Sequence, residues 1–171
     1  MTGPPTAGFV VPAFEEVAAL PETLRLHVPT EFQDANGHMS ATRYLTTCVE
    51  GVEEALDGLG IPRDWPTTAG HGVFTVDQHL HFLSEVSVGT ELTFHHRLVA
   101  RGPRSGRLVG YLLDHHRHTV CFAMEAAFVH VTMATRRSAP WPEEVAAALD
   151  RRAAEHATLP WALSRSPCFE D

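Results

Sequence analysis

The sequence is poor in cysteine, in basic residues and in long apolar runs, and each shortage argues against a class of protein. Its three cysteines, Cys48, Cys121 and Cys168, are odd in number and share no short spacing. A disulfide framework or a zinc knuckle is therefore not expected, and a reducing compartment fits best. Asp and Glu outnumber Lys and Arg by 21 to 13, with a formal net charge of −8, so a nucleic acid is not an expected partner.

The N-terminus lacks the basic region and apolar run of a signal peptide. No stretch reaches the roughly eighteen consecutive apolar residues of a membrane span. We therefore expect a cytoplasmic protein without a membrane partner. A length of 171 residues fits one domain with modest tails, large enough to bury a hydrophobic core.

The first half of the sequence predicts an arm, a strand and one long helix. Residues 1–20 are rich in Gly and Pro and form a candidate arm, and residues 24–28 alternate apolar and polar side chains, which predicts a strand. Apolar residues at steps of three and four predict an amphipathic helix over 40–58. Residues 65–70 are predicted to be a loop. The residues that end the helix are Gly58, Gly60 and Pro62.

The second half changes to a period of two and predicts four long strands, over residues 72–82, 92–100, 108–117 and 120–133. No helix-length segment separates them, so we expect an antiparallel meander. Alternate residues of the first strand are expected on one face: Phe74, Val76, Gln78, Leu80 and Phe82. A short helix over 143–154 follows.

One long helix and one strongly curved sheet bury each other when the sheet wraps around the helix. The pattern therefore predicts an α+β hotdog fold, with a long central helix wrapped by a curved antiparallel sheet of about five strands. We expect residues 1–20 to form an arm, 21–157 the hotdog domain and 158–171 a tail. A single sheet leaves free edges, so we expect a homodimer or a higher homo-oligomer.

A dense group of turn-forming residues precedes the long helix. Asp34, Asn36, Gly37 and Ser40 are crowded together, and such a turn puts a carboxylate beside the exposed N–H groups of a helix start. Asp34 is then a candidate base or nucleophile, and the N–H groups are a candidate oxyanion site. The alternative is that Asp34 is a turn or capping carboxylate with a purely structural role.

The segment Asp34-Ala-Asn-Gly37-His38-Met39, followed by Tyr44, resembles the opening motif of hotdog-fold acyl-CoA thioesterases of the 4-hydroxybenzoyl-CoA thioesterase superfamily. The family's catalytic Asp stands three residues before the motif glycine, which is the position of Asp34. The resemblance covers roughly residues 24–156 and is most specific from Asp34 to Tyr44.

Further segments are similar to the betainyl-CoA thioesterase-like branch of that superfamily. They are Asn36 to Met39, Leu80 to Glu85, the Gly89-Thr90 turn, and Glu125 followed by His130-Val131. The chain departs from the pattern at Phe32, where many relatives carry a second acidic residue, and at Ser40, where that branch often has Asn.

The resemblance implies an acyl-CoA thioesterase that hydrolyses a thioester to a free acid and CoA, with no metal and no organic cofactor. The catalytic candidates are Asp34 and His38, and the predicted substrate contacts are Asn36, Gly37, Met39 and Tyr44. Tyr44 is also expected in the core. The branch suggests a short polar acyl group such as betainyl, whose cation would bind an aromatic face. The candidates for that face are Trp65, Phe74, Phe82 and Phe128.

CoA carries anionic phosphates, so a thioesterase of this kind needs a basic patch. Arg101, Arg104 and Arg107 cluster at a predicted turn between strands, and guanidinium groups bind phosphates with paired hydrogen bonds. These arginines are the predicted CoA contacts, and Arg136-Arg137 after the last strand are a second candidate for the nucleotide end. The alternative is that they are solvated residues of a turn.

Two other functions remain open from the sequence. His79, His81 and Glu85 are spaced as in the first metal motif of cupins, and alternate strand residues share a face. A cupin needs a second motif that the sequence lacks, and the long helix has no place in a small jelly roll. A non-catalytic hotdog module that binds acyl-CoA is the other alternative.

Overall fold

The computed structural model describes residues 9–163, and the predicted tail beyond this range, with Cys168, lies outside the described residues. Four α-helices and six strands follow one another in that part of the chain. In order they are α1 (Phe14–Ala18), β1 (Glu22–His27), α2 (Ala41–Asp57), α3 (Trp65–Thr68), β2 (His71–Phe82), β3 (Glu91–Arg101), β4 (Ser105–Asp114), β5 (Thr119–Thr132), β6 (Arg137–Ser138) and α4 (Glu143–Ala157).

Helix α2 confirms the long helix that the sequence predicts. Its buried residues recur at steps of one, three and four, so they form a stripe along one side: Tyr44, Thr47, Cys48, Gly51, Ala55 and Leu56. Extended backbone at Ser40 precedes the helix, and Gly58 follows it. Gly60, with a φ of 82°, turns the chain away in a conformation that favours glycine.

The strands form one antiparallel sheet in the order β1-β3-β4-β5-β2, with β6 paired to β5. The prediction of a simple meander is therefore wrong for β2, which pairs with β5 instead of β3. Residues 83–90 connect β2 to β3 past β5 and β4, which lie between them in the sheet, and this segment is longer than the two to five residues of a tight hairpin. Strands β3, β4 and β5 do form a meander.

Strand β2 contains a bulge that changes which side chains face the helix. Its pairing with β5 shifts between Thr75 and Asp77, so one residue is left over and the side-chain alternation reverses there. Val73 before the bulge and Leu80 after it both pack against the main core. The prediction that five alternate residues share one face is wrong for this reason, and Val76 is 60% exposed.

The sheet wraps around α2, and the main core lies between them. Phe94 of β3 is fully buried there. A Cβ atom on Gly51 of α2 would lie 2.2 Å from the Phe94 ring, and one on Gly110 of β4 would lie 2.6 Å from it. These two glycines therefore let the helix and the neighbouring strand close around one aromatic ring.

A second, smaller core covers the outer face of the sheet. Val17 and Leu20 from the N-terminal segment and Trp161 from the C-terminal segment pack against outward-facing residues such as Tyr111. The described part of the predicted arm is thus packed on the sheet. The division into an arm, a domain and a tail stays a prediction.

Two helices differ from their predictions. Residues 65–68 form the short helix α3 instead of a loop, with Pro66 in the first turn, where its missing N–H costs no hydrogen bond. Helix α4 extends to Ala157, beyond the predicted end at residue 154. Among residues 9–163, no helix is long and apolar enough to cross a membrane.

Candidate functional site

The turn before α2 is a closed loop held by backbone hydrogen bonds. The N–H of Asp34 donates to the carbonyl of His38 at 3.0 Å, and the N–H of Gly37 donates to the carbonyl of Asp34 at 3.1 Å. Gly37 has a φ of 87°, which a residue with a Cβ atom adopts only at a cost. Glycine is therefore favoured where the loop reverses.

The Asp34 carboxylate is oriented by Asn36. The backbone N–H of Asn36 donates to Oδ1 of Asp34 at 2.8 Å, and Nδ2 of Asn36 lies 3.4 Å from Oδ2. Asp34 is half-buried. Asn36 thus contacts both carboxylate oxygens, and Oδ2, at the longer distance, keeps lone pairs for a substrate or a water molecule.

Helix α2 begins without a side-chain cap. Ser40 has the extended backbone of an N-cap residue, but its side chain makes no capping hydrogen bond. Its Oγ lies 3.3 Å from the hydroxyl of Thr42 instead. The Arg43 N–H donates to the Ser40 carbonyl at 2.9 Å. The N–H groups of Ala41 and Thr42, before it in the first turn, are therefore the ones with the capacity to bind a carbonyl oxygen or an oxyanion.

Met39 and Tyr44 fix the turn to the segment between β2 and β3. The N–H of Met39 donates to the carbonyl of Val86 at 2.8 Å, and the Tyr44 hydroxyl donates to the carbonyl of Ser84 at 3.1 Å. Burial raises the pKa of Tyr44 to about 12, so this hydroxyl remains a donor at neutral pH. Both side chains are buried in the core, and their predicted contacts with substrate stay predictions.

His38 is half-buried, and Nδ1 of its ring lies 3.4 Å from the carbonyl oxygen of Met39. Its backbone carbonyl, rather than its ring, accepts the N–H of Asp34. The structure thus places His38 in the same turn as Asp34. A catalytic role for its ring stays a prediction.

The predicted arginine cluster lies at the opposite end of the sheet from Asp34. The Asp34 turn contacts Val86, just before β3 begins, whereas Arg101 is the last residue of that strand. A strand of this length spans about 30 Å. The cluster is therefore not beside the Asp34 of its own chain. Arg101 also forms a pair of hydrogen bonds with the carboxylate of Asp150 in α4.

Two other arginines lie near the turn, and sequence spacing did not identify them. The guanidinium of Arg43, in the first turn of α2, lies 4.6 Å from the centre of the Phe32 ring. Arg117, in the connection between β4 and β5, donates to the carbonyl of Glu85. Glu85 is next to Val86, which contacts the Asp34 turn. Because Arg117 is far from Glu85 along the chain, it comes close to the turn only in the folded protein.

A cavity of about 260 Å³ lies on the inner face of the sheet, away from the Asp34 turn. Its walls are the second half of α2, α3, and strands β2 and β5, and they include Glu53, Trp65, Gln78 and Phe128. Val49 is the first α2 residue to line it, about 12 Å along the helix from Ala41. Within one chain, the candidate carboxylate and the cavity are therefore separate.

The cupin-like alternative is wrong. The sheet wraps a long helix and is not a jelly roll, and Glu85 lies outside β2, where its side chain is exposed. His79 and His81 do lie on the same face of β2, as their spacing predicts, but they face away from α2. Glu85 does not join them.

Comparison with known proteins identifies relatives among the thioesterases. Residues 28–149 match the family model of the Thioesterase-like superfamily. An L-carnitine dehydrogenase/betainyl-CoA thioesterase of Agrobacterium fabrum is 33% identical over 78% of this chain and 28% of its own length. The chain therefore spans less than a third of that relative. A betainyl-CoA thioesterase of Pseudomonas aeruginosa is 27% identical over 81% of this chain and 87% of its own length.

The fold is also found in solved structures. A Staphylococcus aureus protein solved in complex with CoA superposes with a TM-score of 0.76, at 22% identity over 84% of this chain and 90% of its own. The predicted hotdog fold and the predicted family are both confirmed, and the relatives support a thioester hydrolase. The chain belongs to the Thioesterase-like superfamily.

Proposed function

We propose that the protein is an acyl-CoA thioesterase that converts an acyl-CoA and water into a free acid and CoA. The observation that carries the proposal is the Asp34 carboxylate, which Asn36 holds at 2.8 Å in a turn that leads to the uncapped start of α2. This chain belongs to the Thioesterase-like superfamily. Its turn contains the two groups that thioester hydrolysis needs: an oxygen nucleophile or base, and hydrogen-bond donors for the carbonyl oxygen.

Two routes use the same arrangement. In the first, Asp34 attacks the thioester carbon, the C–S bond breaks to release the CoA thiolate, and water then hydrolyses the mixed anhydride. In the second, Asp34 takes a proton from a water molecule as that water attacks the thioester carbon, and the C–S bond then breaks to release CoA. In both routes the carbonyl oxygen gains negative charge beside the first N–H groups of α2. Neither route requires a metal or an organic cofactor, and CoA enters only as part of the substrate.

A homodimer would bring the carboxylate and the cavity together. Strand β2 is at the edge of the sheet, and pairing with a second copy would satisfy its free backbone groups. The Asp34 turn lies near the end of β2, while the cavity lies along its first half. In an antiparallel β2–β2 pair, the end of one strand meets the start of the other, so each Asp34 would approach the partner's cavity.

The cavity has features suited to a small cationic acyl group. Trp65 and Phe128, two of the four predicted aromatic residues, line it, and Glu53 lines it in an ion pair of 3.3 Å with Arg63. Aromatic faces attract quaternary ammonium groups, and two relatives bear the name betainyl-CoA thioesterase. We therefore propose betainyl-CoA, or a short polar acyl-CoA like it, as the substrate of a cytoplasmic enzyme.

A matched set of acyl-CoA substrates tests this proposal by thiol release. Betainyl-CoA is compared with 3,3-dimethylbutanoyl-CoA, in which carbon replaces the nitrogen and the charge is lost without a change of shape. Recognition of the cation predicts a kcat/KM about tenfold higher for betainyl-CoA, which corresponds to one cation–π contact. Acetyl-CoA tests whether a smaller acyl group is hydrolysed, and 4-hydroxybenzoyl-CoA tests whether an aromatic acyl group is hydrolysed.

The outcomes separate the activity from its specificity. Equal rates with the charged and uncharged substrates would contradict cation recognition and leave the thioesterase activity intact. Binding of acyl-CoA without thiol release from any substrate would favour a non-catalytic binding module. Light scattering of the same samples reports the mass, and a monomer at assay concentration would contradict the shared site.

A further inference from the structure

We propose that His79, His81 and Glu125 form a binding site for a divalent transition-metal ion of the zinc class on the outer face of the sheet. The three residues each offer one ligand atom, and these atoms all lie within 4.8 Å of one another. The site is separate from the Asp34 turn and from the cavity, both of which lie on the side of α2. It is independent of the proposed thioesterase activity.

Strand pairing explains why these residues meet. His79 of β2 lies directly opposite Glu125 of β5 in the antiparallel register. His81 follows two residues after His79, so its side chain projects from the same face of the sheet. Three ligands from rigid, adjacent strands are held at the spacing that the backbone sets, which reduces the entropy lost on binding an ion.

The surroundings shield the site from water. The side chains of His81 and Glu125 are fully buried, and Nε2 of His81 lies 2.8 Å from Oε1 of Glu125. The His79 and His81 rings stack with centroids 4.8 Å apart, and the Phe9 ring covers the other side of His81 at 4.0 Å. Phe9 belongs to the N-terminal segment, so this segment forms the cover of the site.

The ligand chemistry selects the class of ion. Two imidazoles and one carboxylate are the protein ligands of many three-ligand zinc sites, and the same set binds other first-row divalent ions. With bonds of about 2.0–2.2 Å, tetrahedral ligand atoms lie about 3.3 Å apart. To reach this spacing, the 2.8 Å contact between His81 and Glu125 would open, and any ligand pair near the 4.8 Å limit would close.

An ion at this position would link β2 and β5 beneath Phe9 of the N-terminal segment. Its ligands lie on two strands, and Phe9 packs directly on one of them. We therefore expect the ion to stabilise the fold rather than to take part in thioester cleavage. The effect on stability follows from mass action, because the ion binds the folded chain more tightly than the unfolded chain.

Titration of metal-free protein tests the site without any acyl-CoA. The protein is prepared without a polyhistidine tag, stripped with a chelator, and titrated with Zn²⁺ and separately with Co²⁺. Wild type, His79→Ala and Glu125→Gln are compared with the control His116→Ala, which removes an exposed histidine outside the cluster. The readouts are stoichiometry by calorimetry, the visible absorption of Co²⁺, and Tm.

The wild type and His116→Ala should bind one ion per chain, with a Tm rise of about 5 °C or more at saturation. His79→Ala and Glu125→Gln should bind at least about tenfold more weakly. His79 is only half-buried, so its variant should fold even if Glu125→Gln does not. Equal affinity in His79→Ala and wild type would overturn the site, as would wild-type binding weaker than about 100 µM. Because no substrate is present, these results are independent of the proposed function.

Discussion

Asp34 is held by the backbone of its own turn. The Asn36 N–H donates to one carboxylate oxygen of Asp34, and the Asp34 N–H donates to the backbone carbonyl of His38. This arrangement needs a reversal of the chain between them, which Gly37 provides through its positive φ. The position of the carboxylate therefore depends on a glycine that has no side chain to offer the substrate.

Replacing Gly37 by alanine should reduce activity more than stability. An added Cβ meets no atom within 4 Å, so the only cost is the left-handed backbone, about 1 kcal/mol. Relief of that strain would reopen the turn and move Asp34, which should lower kcat/KM by about tenfold or more. The measurement is thioester hydrolysis together with urea unfolding.

Gly70→Ala is the matched control, because Gly70 also has a positive φ and no atom near the added Cβ. It should lose a similar amount of stability and keep wild-type activity. Equal activity of Gly37→Ala and Gly70→Ala would contradict the role of the turn.

Helix α2 packs unusually close to the sheet at Gly51. The Phe94 ring occupies the space that a side chain at this position would need, and the Thr23 hydroxyl donates to the Gly51 carbonyl at 2.9 Å. The sequence predicts the helix and its buried stripe, because apolar spacing reports one face of a single element. It does not predict the contact of Gly51 with Phe94, since those residues meet only in the folded chain.

Gly51→Ala should destabilise the protein although alanine is the better helix former. The helix gains about 1 kcal/mol in propensity, but a Cβ atom 2.2 Å from a buried ring must displace it, and such overpacking costs about 1–3 kcal/mol or more. We expect a net loss in the free energy of unfolding, measured by urea denaturation.

Gly58→Ala provides the comparison at the end of the same helix. Gly58 has a helical backbone, and an added Cβ would lie at an ordinary 3.5 Å from the nearest atom. This variant should be as stable as wild type or slightly more so. If Gly51→Ala were equally well tolerated, the close packing of α2 on Phe94 would be contradicted.

The whole molecule depends on contacts that sequence periodicity does not contain. Periodicity predicts one helix and a set of long strands, and the motif at Asp34 predicts where the site lies. The crossing of β2 to the far side of β5 and the approach of Arg117 to Glu85 depend on how elements meet. The bulge in β2 could not be predicted either, because the sequence pattern does not show where one extra residue interrupts the alternation.

Helix α4 covers β3 through two buried histidines, which should make stability depend on pH. His96 is 2% exposed, its ring nitrogens have no hydrogen-bond partner among the described residues, and its ring lies 5.7 Å from that of His156. Burial lowers the pKa of His96 to about 3, and burial together with nearby Arg152 lowers the pKa of His156 to about 4. Both stay neutral in the folded chain at pH 5.

The unfolded chain binds protons on these histidines below about pH 6.5, so the free energy of unfolding should fall as the pH drops from 7 to 5. Each histidine should account for roughly 2 kcal/mol of that loss, at 1.36 kcal/mol per pH unit. His96→Leu should remove about half of the effect of the pair. Urea unfolding at both pH values measures this, and an unchanged pH dependence in His96→Leu would show that His96 is not held neutral.

The most direct test of the central claim is the rate of thioester hydrolysis by Asp34→Asn. Asparagine keeps the shape of the side chain and an oxygen that can accept the 2.8 Å hydrogen bond from Asn36, but it is neither a base nor a useful nucleophile. With the best acyl-CoA of the substrate set, we expect kcat to fall by about 10²–10⁴-fold, with Tm close to that of wild type. Asp57→Asn, at the far end of the same helix, should keep full activity. An Asp34→Asn variant that retains near-wild-type kcat would contradict the assignment of Asp34 as the catalytic carboxylate.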